Sequence, residues 1–127
     1  MPVVQQLVVT VANRPGALAR VCEALAASRI NISGLDCSGP NRQVRLLVSS
    51  PGKAGRVLKK AGFRSRLENV VTVTLPDRPG ALARAARKLA KRRININYGY
   101  ATVARGAKRA VIVFGVGNPG RAARVAG

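Results

Sequence analysis

Histidine and tryptophan are absent from this chain, and only four acidic side chains stand against 23 Lys and Arg, a net charge of +19. Each shortage removes a class of chemistry. Without imidazole there is no His general base and no His metal ligand, and the four acids, Glu23, Asp36, Glu68 and Asp77, are scattered singly rather than paired. Cys22 and Cys37 each adjoin one lone acid, Glu23 or Asp36, which makes neither a plausible general base for the thiol nor a metal-type cluster. The chain therefore reads as a non-enzyme with no catalytic residue, no metal site and no cofactor. No signal peptide is recognisable, and no uninterrupted apolar run is long enough to span a bilayer. That predicts a cytoplasmic protein with reduced thiols and no membrane partner. Cys22 falls among Leu18, Val21 and Leu25 on the apolar side of an expected helix, where it serves as a small hydrophobe.

What is present is a repeat. Arg14-Pro15-Gly16-Ala17-Leu18-Ala19-Arg20 returns letter for letter as Arg78-Pro79-Gly80-Ala81-Leu82-Ala83-Arg84, 64 residues later. Each copy follows an apolar, β-branched run and opens a stretch of helical periodicity, so a strand, a turn and a helix start meet twice. Arg29-Ile30-Asn31-Ile32 recurs at the same offset as Arg93-Ile94-Asn95-Ile96. The 127 residues, 47% of them apolar, thus divide into two small units, residues 1–68 and 69–127. A unit of about 60 residues buries only about 60% of its unfolded surface, which calls for mutual support between the halves or from another subunit.

In order, the first unit reads as a strand over residues 3–11, a helix from Pro15 to about Ser28, and a strand from Ile30. A turn at Gly39-Pro40-Asn41-Arg42 and a strand from Gln43 to Val48 follow. Ser50-Pro51 then starts a helix with Val57, Leu58 and Ala61 as core positions, and Phe63 to Leu67 forms a last strand. The second unit repeats this with Val70 to Leu75, a helix from Pro79, Ile94 to Val103, Arg109 to Val116 and a helix opening at Pro119. Its final helix matches at an offset of 68, because four residues have entered around Arg105-Gly106-Ala107-Lys108. No counterpart of the strand at Phe63 to Leu67 follows. The fold class is α+β, two ferredoxin-like βαββαβ units in tandem, the second lacking its last strand; the exposed edge calls for a cover, most simply another subunit.

A βαββαβ unit with Asn/Asp-x-Pro-Gly at the first strand-to-helix turn and Ile-Asn-Ile at the second strand resembles the ACT domain, a family of amino-acid-binding regulatory modules. The resemblance covers nearly the whole chain as a free-standing pair. It implies ligand sites at the first turns, which nominates Asn13, Pro15, Gly16 and Asn31 in one unit and Asp77, Pro79, Gly80 and Asn95 in the other. It further implies an amino acid ligand, a homo-oligomer such as a dimer, a metabolic enzyme as regulated partner, and a response through changed association. The residue chemistry suits a zwitterion. Backbone N–H groups in a first helical turn favour a carboxylate, and Asn or Asp oxygens accept from an ammonium. A purely local alternative stays open, in which Asn13 and Asp77 cap their helices, the prolines start them, and Asn31 and Asn95 end loops. The family's serine-binding pattern has a His two positions before the Asn, where this chain has Val11 and Leu75. The identity of the amino acid is therefore left open.

The charge supports an alternative, a basic nucleic-acid-binding protein with a ferredoxin-like fold. Arg84, Arg87, Lys88 and Lys91 follow helical spacing on one side of the second-unit helix, opposite Leu82, Ala85, Ala86 and Leu89. Base-specific readout is disfavoured, because Phe63, Tyr98, Tyr100 and Phe114 are the whole aromatic content. Gly115-Val116-Gly117-Asn118-Pro119-Gly120 matches a dinucleotide fingerprint literally, yet only seven residues follow it and none is acidic. It reads as a strand end, a turn and a helix start.

Overall fold

The computed structural model describes residues 1–38, 43–102 and 106–126. The elements are β1 (Val3–Thr10), α1 (Ala17–Ala27), β2 (Ile32–Cys37), β3 (Gln43–Val48), α2 (Pro51–Lys60), β4 (Ser65–Pro76), α3 (Ala81–Lys91), β5 (Ile96–Thr102), β6 (Arg109–Val116) and α4 (Pro119–Ala122). The strands are hydrogen-bonded in the order β2-β3-β1-β4-β6-β5, a six-stranded antiparallel sheet. The α+β class is as the sequence implies. Two compact units divide the chain: Gln5–Glu68, and the residues from Asn69 onward together with Met1–Val4.

In the first unit, alternation decides the faces. Val44, Leu46 and Val48 of β3 point into the core, with Gln43, Arg45 and Leu47 between them only partly covered. Leu7 and Val9 of β1 join this core, as do Val21 and Leu25 of α1 and Leu58 of α2. Burying each such side chain stabilises by about 1.5–3 kcal/mol. Ala54 is buried where the sequence suggested Ala61, which instead caps the C-terminal end of α2 and is exposed.

The two strands expected at Phe63–Leu67 and Val70–Leu75 are one strand of 12 residues, because Glu68-Asn69 contains neither Gly nor Pro to break the extended backbone. Its first residues and the Arg64 before them complete the first unit: the Thr10 N–H donates to the Arg64 carbonyl at 3.1 Å, and buried Gln6 donates to Glu68 at 3.4 Å. Its later residues pair with β6, from Val71 opposite Phe114 to Pro76 opposite Arg109.

In the second unit, no strand follows α4 among the described residues, yet the edge of β4 is not left bare. The Thr72 N–H donates to the Pro2 carbonyl at 3.0 Å. Met1 is buried in the core with Val71, Val73, Leu89 and Phe114. Its ammonium donates to the carbonyls of Val125 at 2.5 Å and Ala123 at 3.3 Å. The cover expected from another subunit is supplied by the chain's own Met1–Val4. On α3 the buried positions are Ala81, Ala85 and Leu89, while Leu82, placed on the apolar side from sequence, is 51% exposed.

The turn read at 39–42 lies outside the described residues, as do Val103 and Arg105. In the described part of the four-residue insertion, Gly106 takes φ +78 before β6 begins.

Candidate functional site

The repeated heptapeptide builds the same backbone twice. Arg14 N–H donates to the Ala12 carbonyl at 3.0 Å, reversing the chain at Asn13, and Ala17 N–H donates to the Arg14 carbonyl at 3.3 Å. Between them Pro15 and Gly16 are the central pair of a four-residue turn, with Gly16 at φ 84, ψ −12. That is a type II turn, in which proline presets the first central residue and the second requires positive φ, hence glycine. In the second unit the bonds are Arg78 to Pro76 at 3.0 Å and Ala81 to Arg78 at 3.3 Å, with Gly80 at φ 87, ψ −15. Pro15 and Pro79 therefore precede the helices rather than starting them. Gly16 and Gly80 are the N-caps, and neither Asn13 nor Asp77 caps a helix. The local reading of those two residues as caps is corrected, and both side chains are exposed.

Asn31 and Asn95 lie elsewhere. In the first unit Thr10 is opposite Gln43 and Ile32 opposite Val48, so the end of β1 and the start of β2 are at opposite ends of β3. The 11-residue α1 makes this return, a span of about 16 Å at 1.5 Å per residue. Asn31 exchanges bonds with Ser49: its N–H donates to Ser49 Oγ at 3.1 Å, and Ser49 N–H donates to its carbonyl at 3.0 Å. The second unit repeats the separation. Asp77 N–H donates to the Lys108 carbonyl at 2.9 Å, whereas Asn95 Nδ2 donates to Asn97 Oδ1 at 2.9 Å at the far end. Each unit thus gathers its Asn/Asp, Pro and Gly at one end and sets its second Asn at the other, because a β-α-β connection carries the chain back across the sheet.

Beside the second turn is a hollow of 220 Å³, lined by Arg78, Arg84 and Lys88 with Leu75, Pro76 and Ala81. Its cationic rim and apolar wall suit a small carboxylate. At the other end of this unit, Arg93, Asn95, Asn97, Asn118 and Arg121 line a second hollow of 270 Å³.

Three repeated devices were invisible in the residue pattern. Lys53 Nζ donates to the Ser28 carbonyl at 3.1 Å, and the Arg121 guanidinium donates to the Arg92 carbonyl. Each is a cation on the third residue of a helix holding the carbonyl that ends the preceding one. The register shifts between Ile32 and Gly34 and again between Ile96 and Tyr98, a bulge at equivalent positions. Arg29 and Arg93 both adopt positive φ, 57 and 56. Aligning the repeats at offsets of 64 and 68 would have flagged the first pair as equivalent, but not what they bond.

The dinucleotide-like run has a structural explanation. Gly115 lies opposite Tyr98, and a Cβ there would come within 2.1 Å of the ring. Asn118 caps α4 by accepting from Arg121 N–H at 3.0 Å, and that helix has only four residues. Among the described residues no group of three or more His, Cys, Asp or Glu side chains could hold a metal, and no helix is long and apolar enough to cross a membrane. Cys22 and Cys37 are free thiols, partly buried and exposed respectively.

Two sheet-and-helix units, each with the same Pro-Gly turn between its first strand and first helix, define a tandem pair of ferredoxin-like modules. A family model described as an ACT domain pair matches residues 2–126, and the chain belongs to that family. Among solved structures it is similar to protein BT0572 from Bacteroides thetaiotaomicron, with a TM-score of 0.86 and 31% identity over 94% of this chain and 83% of that one. The regulatory subunit of aspartate kinase from Thermus thermophilus, in ligand-free form, shares the fold. Its TM-score is 0.71 at 18% identity over 98% of this chain and 94% of that one. The Thermus flavus regulatory subunit gives 0.65, also at 18% identity over 98% and 94%. No curated protein sequence matches the chain.

Proposed function

We propose that this ACT pair is a regulatory protein that binds an amino acid or related carboxylate at its Pro-Gly turns and answers by changing its association with itself or with a metabolic enzyme. The observation that carries this reading is the duplicated type II turn, built from an identical heptapeptide and leaving Asn13 and Asp77 exposed and free of capping duty. Gly16 and Gly80 let a ligand approach the main chain closely. Each turn leads directly into a helix whose N-terminal dipole favours a carboxylate by roughly 0.3–1 kcal/mol at an exposed site. Near the second turn Arg78 and Arg84 add cationic partners, and Asp77 supplies an acceptor for an ammonium. The subunit names of the Thermus relatives, a regulatory subunit in each case, point the same way. The setting is a cytoplasmic homo-oligomer. Asn31 and Asn95 complete a site only if another module brings its far end to the turn.

Calorimetric titration with the standard amino acids tests this. One or a few should bind, Asn13→Ala and Asp77→Ala should each weaken binding about tenfold, and size-exclusion elution should shift on ligand addition. If none binds at millimolar concentration while RNA binds with a steep salt dependence, the regulatory reading gives way to the nucleic-acid one.

A further inference from the structure

The first unit holds an open groove of 610 Å³, and the Arg20 guanidinium of the heptapeptide lies 5.5 Å from the ring centroid of Phe63 in its lining. One wall is a face of α2, on which Gly52, Gly55, Arg56 and Lys59 recur at helical spacing. The facing wall is the chain from Arg64 to Leu67 as it enters β4. Leu7, Phe63 and Leu67 give the groove its apolar lining, and Leu67 remains 42% exposed. Four cations surround that lining. Arg66 is paired with Glu68 at 3.1 Å, but among the described residues no carboxylate pairs with Arg56, Lys59 or Arg64. Ser65 is the single neutral polar side chain in the lining, so a sugar or a nucleobase would find few hydrogen-bond partners.

Gly55 sharpens the case. It sits inside a ten-residue helix, where glycine weakens the helix relative to alanine. No packing constraint demands it, since an added Cβ would meet only Leu7 Cδ1 at 3.9 Å, an ordinary contact, and the backbone there is helical. What the missing side chain preserves is the width of the groove.

We propose that this groove binds an amphipathic anion, with a hydrocarbon body on Phe63 and Leu67 above the buried Leu7 and a carboxylate or phosphate head among Arg56, Lys59 and Arg64. Its volume lies within the roughly 300–1,000 Å³ range of small-molecule sites. A free acyl-chain acid and the chain and headgroup of a membrane lipid share this chemistry.

Titration of the full chain with decanoate, acetate and neutral methyl decanoate, in about 0.15 M salt to screen the general positive field, tests the assignment. Decanoate should bind at least about tenfold more tightly than either control, since both head and chain contribute. Gly55→Leu should abolish decanoate binding without lowering the melting temperature, and the surface pair Arg56→Gln with Arg64→Gln should weaken it while the fold is kept. Flotation with anionic vesicles in the same salt then assigns the source: association lost in Gly55→Leu identifies lipid, whereas no association, or association kept in Gly55→Leu through the general positive field, identifies a free acid. Acetate binding as well as decanoate, or Gly55→Leu binding undiminished, would overturn the proposal.

Discussion

Arg29 and Arg93 end their helices in left-handed backbone, at φ 57 and 56, where Gly62 performs the same task after α2 at φ 91. All three ends carry the same pair of bonds. Ile30 N–H donates to the Leu25 carbonyl at 3.0 Å and Arg29 N–H to Ala26 at 3.0 Å, and the pattern recurs at Ile94 with Arg93 and at Phe63 with Gly62. This is the Schellman ending, which ordinarily selects glycine. Left-handed backbone costs a non-glycine residue roughly 1–2 kcal/mol, of which part is returned by its lower unfolded-state entropy. Arg29→Gly and Arg93→Gly should therefore each stabilise the protein by about 0.5–1 kcal/mol in denaturant unfolding. A loss of stability would mean that the arginine side chain contributes more than its backbone strain costs. The glycines at 16 and 80 were conspicuous in the sequence because Pro-Gly is a turn signal. An arginine in the same region of backbone space carries no such mark.

At the scale of elements, what joins the helices is a cation on one and a carbonyl on the other. Lys53 on α2 reaches the carbonyl of Ser28, and Arg121 on α4 reaches that of Arg92. Both acceptors are C-caps, where the unpaired carbonyls and the negative end of the helix dipole favour a cation. Lys53→Ala and Arg121→Ala should each cost about 0.5–1.5 kcal/mol, read as an earlier unfolding midpoint with an unchanged denaturant slope. Replacement by Glu should cost more, because it places like charge against the carbonyl end. Strand and helix positions were largely legible: β6 runs from Arg109 to Val116 as its apolar run indicates. Core assignments were less so on α3, whose buried stripe of Ala81, Ala85 and Leu89 leaves Leu82 outside. Several helical stripes one residue apart fit an alanine-rich helix, and only the sheet beneath it chooses among them.

At the scale of the molecule, the second unit is completed by residues 1–4. Burial of Met1 accounts for roughly 1.5–3 kcal/mol, and the strand it leads covers the hydrogen-bonding edge of β4. Deletion of Met1–Val4 should lower stability by at least that amount. It should also produce concentration-dependent association as the bared edge seeks another strand, measured by thermal unfolding and light scattering. A monodisperse deletion variant with unchanged melting temperature would show that this strand is dispensable. The absence of a final strand after α4 was readable by counting repeats. Its replacement was not, because pairing between residues 2 and 72 is a contact of long sequence separation that no local pattern encodes.

The heptapeptide repeat by itself determined the tandem βαββαβ order, the two Pro-Gly turns and the α+β class, since each follows from local periodicity and from the backbone limits of proline and glycine. The tertiary structure decided which residues meet. It set Asn31 and Asn95 at the far ends of their units from Asn13 and Asp77, merged two expected strands into β4, and brought residues 1–4 to the edge of β4 in the second unit. Those outcomes depend on chain direction and strand pairing across the sheet, which hydrogen bonds between distant residues settle and neighbouring side chains do not.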